Sequence, residues 1–151
     1  DLAQRHQHRF HVLHVSTAAE IPLIAEAGPY ITAEVCLHHL FFNVDDYPRL
    51  GSRIQMNPSI KTADDNRQLY EALLDGTIQV IATDHAPHTP TEKDCEFDAA
   101  PFGVIGLETS LAATLGTLYH GGRLPLPEVI ALMTHKGAEI CRLDAGTLTA
   151  G

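Results

Sequence analysis

Three short apolar segments, each followed by polar residues and a helical pattern, constrain the fold of this chain most strongly. They cover residues 10–15, 30–35 and 78–82, and the second is rich in β-branched residues. Strands that alternate with helices are typical of α/β folds with parallel pairing. The pattern therefore predicts three strand–loop–helix units. Their polar residues should collect at the carboxyl ends of the strands, the edge where such folds bind ligands.

Local signals place the helices between and after these strands. Thr17 and Glu20 have the spacing of a capping box and open a helix that ends before Gly28. A second helix begins after Thr62, ends at Gly76 and presents three apolar residues on one face: Leu69, Ala72 and Leu73. The remaining predictions are irregular stretches at 43–59 and 84–106, helices at 107–118, 127–133 and 136–142, and the start of a strand at 146–151.

Composition narrows the class of protein. The 151 residues can form one domain but fall short of the about 250 that a complete (β/α)8 barrel needs. A net charge of −9 argues against nucleic-acid binding, and no apolar run is long enough to predict a membrane span. The cysteines lie far apart at positions 36, 95 and 141, which argues against disulfides and favours a reducing, cytoplasmic setting.

Two residues near strand ends could carry chemistry. His14 lies near the end of the first strand, where a lone histidine is more often a hydrogen-bonded core residue than a metal ligand. Asp84 ends the third strand and could instead form a helix cap or a local turn, although the nearby Pro87 weakens the cap interpretation. Imidazole and carboxylate together suit zinc, and a bound metal would lower the pKa of coordinated water. A carboxylate beside that water could take its proton, which is the chemistry of a hydrolase.

Several short motifs stand in an order that resembles the dihydroorotases of the amidohydrolase superfamily. The resemblance covers the chain from about residue 10 onward, and it is carried by His14-Val15-Ser16-Thr17, residues 32–40 (TAEVCLHHL), Met56-Asn57-Pro58, residues 82–88 (ATDHAPH), Glu92-Lys93 and residues 103–109 (GVIGLET). The resemblance implies a partial TIM (β/α)8 barrel of the metal-dependent hydrolase type. The chain would cover about strands 6 to 8 and their helices.

The resemblance also implies a set of metal ligands. His14 would be a ligand on the sixth strand, and Asp84 would be both a ligand on the eighth strand and the catalytic acid/base. Glu34 would be a possible extra metal contact, although a buried structural carboxylate explains it equally well. His38 and His39 have the composition of ligands, but their matching positions in the family are structural. The implied cofactor is Zn²⁺, one or two ions per active site in the full-length enzyme.

Substrate contacts are implied at four further positions. Asn57 and His88 would contact the substrate, and His88 would bind the carboxylate of the substrate. Phe102 and Gly103 would lie on a loop that closes the pocket. Lys61 stands where the family commonly has arginine, so it keeps the charge but loses the two-pronged hydrogen bonding of a guanidinium.

Other ligands that the family carries on earlier strands have no counterpart here. We therefore expect residues 1–151 to be the carboxyl-terminal portion of an amidohydrolase barrel domain. Two ligands rarely hold a catalytic zinc, and three strands with open edges are poorly stable, so the chain alone should be inactive.

The implied reaction is the reversible cyclisation of N-carbamoyl-L-aspartate to L-dihydroorotate in pyrimidine biosynthesis. A homo-oligomer is expected, with aspartate carbamoyltransferase as a possible partner. Two alternatives stay open: a cyclic amidase of the hydantoinase or allantoinase type, and a non-catalytic dihydroorotase-like subunit that scaffolds aspartate carbamoyltransferase. The retention of both His14 and Asp84 argues against the scaffold, and the motif from Asp84 to His88 favours dihydroorotase over the other amidases.

Overall fold

A computed structural model describes residues 2–148 and 150 of the chain. Three strands form one parallel sheet in the order β1-β2-β3: β1 (Phe10–Val12), β2 (Ile31–Cys36) and β3 (Val80–Ala82). Phe10 pairs with Ile31, and Glu34 pairs with Val80. The parallel α/β arrangement predicted from the strand–helix alternation is therefore confirmed.

Helices surround the sheet and are mostly short. They are α1 (Leu2–Arg5), α2 (Ile21–Glu26), α3 (Leu37–Phe41), α4 (Tyr47–Leu50), α5 (Ala63–Asp75), α6 (Pro90–Lys93), α7 (Ser110–Thr114), α8 (Leu126–Leu132) and α9 (His135–Cys141). A π-helical segment at Leu115–Tyr119 continues α7, and 3-10 turns occupy Ala18–Glu20, Val44–Asp46, Gly51–Ile54 and Phe97–Ala99. No helix among the described residues is both long and apolar enough to cross a bilayer.

The longest helix forms where local signals are strongest. Thr62 caps α5 with its side chain and completes a capping box with Asp65, while Gly76 ends the helix in a left-handed conformation with φ of 86°. Leu69, Ala72 and Leu73 are buried, as the 3.6-residue period predicts. The Thr17–Glu20 capping box is also present, but it opens a 3-10 turn that leads into α2.

The first strand is shorter than predicted. It ends at Val12 instead of Val15, and Leu13 is exposed. The amide of Val15 donates to the Glu34 carbonyl at 2.9 Å, so pairing resumes after a break at positions 13 and 14. The break arises because His14 has φ of 37°, which an extended strand does not allow. His14 therefore lies beyond the strand and not inside it.

Three other predictions from the sequence need correction. The stretches at 43–59 and 84–106 are not wholly irregular, because capping boxes at Asn43 and Thr89 nucleate short helical turns. The third strand begins at Val80, two residues later than predicted. In the tail, residues 146–148 and 150 form no strand, and the rest of that prediction, residues 149 and 151, lies outside the described residues.

The main core lies on the helix-facing side of the sheet. Ala33 and Val35 of β2 and Ile81 of β3 pack there with apolar residues of α2, α5 and α8. The opposite face of the sheet is polar and half-buried, with His11, Thr32 and Glu34. This division leaves the carboxyl edge of the sheet and its loops free to carry chemistry.

Candidate active site

Two residues with an unusual backbone conformation lie just past the ends of β1 and β3. His14 lies two residues past β1 and has φ of 37°, and Asp84 lies two residues past β3 and has φ of 44°. Positive φ is uncommon outside glycine, and such residues concentrate at functional sites. The backbone thus departs from the extended conformation at both positions, at the same edge of the sheet.

The two residues flank the end of β2 and share electrostatic neighbours there. Burial lowers the pKa of His39 in α3, the Pro58 carbonyl raises it, and the charges of His14 and Asp84 act on it in opposite directions. His14 and Asp84 therefore both lie near His39, on either side of the end of β2, and their joint role as ligands stays a prediction.

Both predicted ligands have free donor atoms. Within residues 2–148 and 150, the side chains of His14 and Asp84 make no hydrogen bond or ion pair, and Asp84 is exposed. An imidazole and a carboxylate are donors suited to Zn²⁺, so the residues present fit such an ion. A catalytic zinc usually takes three protein ligands, so this pair would supply part of the set.

Glu34, the predicted extra metal contact, already has a partner. His11 Nε2 lies 3.1 Å from Glu34 Oε2, and His11 Nδ1 lies 2.7 Å from Thr32 Oγ1. The three side chains form a polar chain across β1 and β2 on the face opposite the core. A structural role accounts for these contacts, and metal binding by Glu34 remains a prediction.

The segment from Gly103 to Leu107 runs beside the end of β3. The amide of Ala86 donates to the Val104 carbonyl at 3.0 Å, and His85 pairs with Val104 as an isolated parallel bridge. His85 Nδ1 accepts from the amides of Gly106 at 3.0 Å and Leu107 at 3.2 Å. His85 therefore anchors the loop that the sequence assigned to pocket closure, and Nδ1 must carry a lone pair.

Two glycines allow this close approach. A Cβ on Gly103, whose φ is 137°, would lie 2.5 Å from the Ala86 carbonyl oxygen. A Cβ on Gly106 would lie 2.7 Å from the Thr83 carbonyl oxygen. The backbone of the loop can reach the β3 end only because these positions lack a side chain.

A buried lysine fixes the same loop from the other side. Lys93 is 7% exposed, and its ammonium donates to the carbonyls of Gln55 at 3.0 Å, Pro101 at 2.7 Å and Gly103 at 3.0 Å. Burial lowers the pKa of Lys93, and the three acceptors offset part of the cost of removing the charge from water. Sequence reasoning noted the Glu92-Lys93 pair as part of the family pattern but missed this role. Its only local signal is the Thr89 capping box that forms the turn.

The predicted substrate residues lie close to one another. His88 Nε2 is 3.0 Å from the Phe102 carbonyl oxygen, and the amide of Gly103 donates to the Gln55 carbonyl at 3.1 Å. Phe102 is exposed, and so is Asn57, two residues along from Gln55. His88, Phe102 and Gly103 therefore meet at one place, with Asn57 on the neighbouring segment.

The end of β2 brings a thiol and two imidazoles together. Cys36, His38 and His39 are all buried, and one possible ligand atom from each lies within 4.8 Å of the others. Burial lowers the pKa of His38 to about 3, helped by His39 and His14. Burial also raises the pKa of the Cys36 thiol, with further effects from Asp84 and Glu34. Sequence reasoning treated the two histidines as structural and did not include Cys36.

An apolar cleft of about 540 Å³ opens beside this cluster. Its walls are formed by Leu37, His38, Phe41, Phe42, Leu50, Arg53, Ile54, Thr83, Val104, Ile105, Gly106, Glu108, Thr109, Ala112 and Ala113. His14 and Asp84 are not among its lining residues. The cleft and the strained strand tips are therefore separate features of the same end of the molecule.

Comparisons with known proteins agree with this architecture. No protein-family model matches the chain. It is 41% identical over 153 residues to dihydroorotase from Bacillus subtilis strain 168, and 41% identical over 145 residues to dihydroorotase from Anoxybacillus flavithermus. These alignments take in 99% and 94% of this chain but only 36% and 34% of the relatives. The chain thus spans about a third of the length of the curated relatives it matches.

Solved structures give the same answer for the fold. L-hydantoinase from Arthrobacter aurescens superposes with a TM-score of 0.90 at 30% identity, covering 99% of this chain and 35% of that protein. Dihydropyrimidinase from Brevibacillus agri superposes with a TM-score of 0.91 at 22% identity, again over 99% of this chain and 35% of that protein, and it supports the fold alone.

In fold, nearly the whole chain is similar to part of L-hydantoinase, a cyclic amidohydrolase. Within that class, the chain is similar in sequence to the dihydroorotases. The resemblance seen in the motifs is therefore confirmed.

Proposed function

We propose that the protein containing this chain is a dihydroorotase, which interconverts L-dihydroorotate and N-carbamoyl-L-aspartate. The observation that carries the proposal is that His14 and Asp84, both with positive φ, lie just past β1 and β3 at the carboxyl edge of one parallel sheet. The similarity to curated dihydroorotases supports it across nearly the whole chain. Because the match covers about a third of those proteins, the activity, substrate and partners of the whole protein are part of the proposal.

His14 and Asp84 would hold Zn²⁺ together with residues on other strands. When bound, the ion would supply Lewis acidity that activates water and polarises the scissile carbonyl. In the hydrolytic direction, water adds to the ring amide carbon and the ring carbon–nitrogen bond breaks. Asp84 takes the proton that the water gives up and delivers it to the leaving nitrogen. The reverse sequence closes the ring.

The loop at 101–106 would position the substrate. His88 Nε2 donates to the Phe102 carbonyl of this loop, and a protonated imidazole there would also donate from Nδ1 to the substrate carboxylate. Lys93, His85 and the two glycines keep the loop against β3, so its exposed backbone groups are fixed before substrate arrives. Such preorganisation lowers the cost of binding. Asn57 would add a contact from the neighbouring segment.

The wider context is proposed on the same basis. The chain would form about strands 6 to 8 of a (β/α)8 barrel, within the carboxyl-terminal portion of the catalytic domain, and would be inactive alone. The enzyme would be cytoplasmic and homo-oligomeric, in some settings with aspartate carbamoyltransferase.

One specific observation favours a second candidate. The superposition on L-hydantoinase at 30% identity fits a hydantoinase-type cyclic amidase, which would open a different cyclic amide with the same residues. Substrate choice separates the two, because a dihydroorotase needs a cation or hydrogen-bond donors for the carboxylate of its substrate.

A chimaera tests the proposal. The chain would replace its matching 153-residue segment in Bacillus subtilis dihydroorotase, and the product would be assayed with dihydroorotate and with 5-substituted hydantoins. We expect turnover of dihydroorotate in preference to the hydantoins, and His88→Ala should raise KM for dihydroorotate more than it lowers kcat. Preference for hydantoins would support the second candidate. A folded, metal-loaded chimaera that turns over neither substrate would contradict both and favour a non-catalytic subunit.

A further inference from the structure

The cluster at the end of β2 has the composition of a separate metal site. Cys36 is 0% exposed, His38 is 6% exposed and His39 is 2% exposed. One ligand atom from each lies within 4.8 Å of the other two. Thiolate and imidazole are the ligands of structural zinc sites, and this cluster supplies three of the usual four.

Each imidazole has a nitrogen without a hydrogen-bond partner among residues 2–148 and 150. These atoms are His38 Nε2 and His39 Nδ1, and both are buried. Nearly all buried polar atoms in proteins are paired, so two unpaired nitrogens on rings whose centroids lie 4.4 Å apart need an explanation. A cation between them would supply one.

The hydrogen bonding of His39 leaves its free nitrogen in the form that binds metals. His39 Nε2 lies 2.9 Å from the carbonyl oxygen of Pro58, which can only accept. Nε2 must therefore carry the proton, and in a neutral ring Nδ1 then carries a lone pair. Metal-binding histidines are typically oriented in this way, with the second nitrogen donating to a carbonyl.

We propose that Cys36, His38 and His39 form a Zn²⁺ site that is distinct from the His14–Asp84 pair. On binding, the Cys36 thiol gives its proton to solvent and coordinates as a thiolate, while both imidazoles coordinate in neutral form. The site does not depend on the proposed enzymatic activity. It would tie the end of β2 to α3 and, through Pro58, to the segment that carries Asn57.

The site needs a small closure and has an entry path. In a tetrahedral zinc site, ligand atoms lie about 3.5 Å apart, given zinc bonds of about 2.0–2.3 Å. The widest pair here therefore closes by about 1 Å, which side-chain rotation can provide. His38 lines the apolar cleft, so an ion can reach its imidazole from that side.

Cobalt(II) titration of the metal-free dihydroorotase chimaera tests this proposal, because a thiolate bound to Co²⁺ gives a charge-transfer absorption in the near ultraviolet. We expect that absorption to appear as Co²⁺ is added, and to be lost when Zn²⁺ is added. Removal of a metal's outer partners commonly costs about 10–100-fold in affinity, so loss of a direct ligand should cost at least about 100-fold. Cys36→Ser and His39→Gln should each show this loss, with circular dichroism confirming the fold.

Matched variants locate the site. Cys95→Ser and Cys141→Ser alter the two exposed cysteines and should leave the absorption unchanged. Asp84→Asn should also leave it unchanged if this site is separate from the proposed catalytic pair. The proposal would be overturned by an unsubstituted chimaera that lacks the absorption, by an absorption that survives Cys36→Ser, or by one that requires Cys95, Cys141 or Asp84.

Discussion

The helix-facing core and the carboxyl edge of the sheet differ in polarity and in the regularity of their backbone. The core is regular and apolar: Val35 of β2, Ile81 of β3 and Leu69 of α5 are buried against one another and their neighbours. The edge is irregular and polar: His14 and Asp84 have positive φ, and a buried lysine holds a loop by its carbonyls. The core should therefore determine the stability of the chain, and the carboxyl edge should carry its proposed catalytic chemistry. Substitutions in the two regions should change these two properties separately.

The largest expected effect is on catalysis and comes from the edge. In the dihydroorotase chimaera, Asp84→Asn should lower kcat by about 10²–10⁴-fold, because an amide cannot take the proton from water. The melting temperature of the metal-free chimaera should change little, because Asp84 makes no hydrogen bond within the described residues. Steady-state kinetics and thermal unfolding measure the two effects. Asp98→Asn, at an exposed carboxylate, is the control, and equal activities for both variants would refute the role of Asp84.

The next effect comes from the core. Leu69→Ala removes a side chain that is 0% exposed, so the free energy of unfolding should fall by about 2–5 kcal/mol, as measured by urea denaturation. Leu23 in α2 is 70% exposed, and Leu23→Ala should change the free energy of unfolding by less than about 0.5 kcal/mol. Similar losses for the two variants would mean that the core is not where the burial pattern places it.

A third substitution tests how the edge is packed. Gly106→Ala places a Cβ 2.7 Å from the Thr83 carbonyl oxygen and should destabilise the chain by about 1–3 kcal/mol as the loop shifts. Gly116 has open space around its missing Cβ, so Gly116→Ala should instead stabilise its helical segment by about 0.5–1 kcal/mol. Urea denaturation of both variants measures the contrast. The free energy of unfolding should fall for Gly106→Ala and rise for Gly116→Ala. A rise for Gly106→Ala would contradict the close approach of the loop to β3.

A further expected effect is a dependence of stability on pH. Burial lowers the pKa of His38 from 6.5 to about 3, so the unfolded chain binds a proton there that the folded chain does not. Stability from this group is complete above pH 6.5 and is lost as pH falls, by up to about 1.4 kcal/mol per pH unit. His39 has its pKa lowered as well and adds in the same direction.

Urea denaturation between pH 7 and about 4.5, with a chelator present, measures this slope. His38→Leu should flatten it, whereas His120→Leu, at an exposed position, should leave it unchanged. A slope that is the same in the wild type and His38→Leu would mean that His38 is not held neutral by the fold.

Local signals made the core predictable. The bounds and buried face of α5 follow from Thr62, Gly76 and a 3.6-residue period, all within fifteen residues. The parallel sheet follows from the alternation of strands and helices. The candidate site could be predicted only in outline. Motif order points to His14 and Asp84, but it gives no sign of the positive φ of His14 with which β1 ends three residues early.

The remaining features depend on contacts between distant residues. Lys93 is buried because its carbonyl acceptors come from positions 55, 101 and 103, and no local pattern encodes that meeting. The His39 tautomer depends in the same way on Pro58, 19 residues away. Such contacts become visible only when the chain is folded.

The central claim is that His14 and Asp84 bind one metal centre together, and metal content tests it most directly. The chimaera and its His14→Ala and Asp84→Asn variants would be purified, dialysed against a weak chelator and measured for zinc by elemental analysis. The Cys36→Ser background would remove any contribution from the β2 cluster. We expect both variants to lose zinc relative to the parent, while His120→Ala and Asp98→Asn retain it. Full zinc retention in both variants would show that these strand tips do not share an ion.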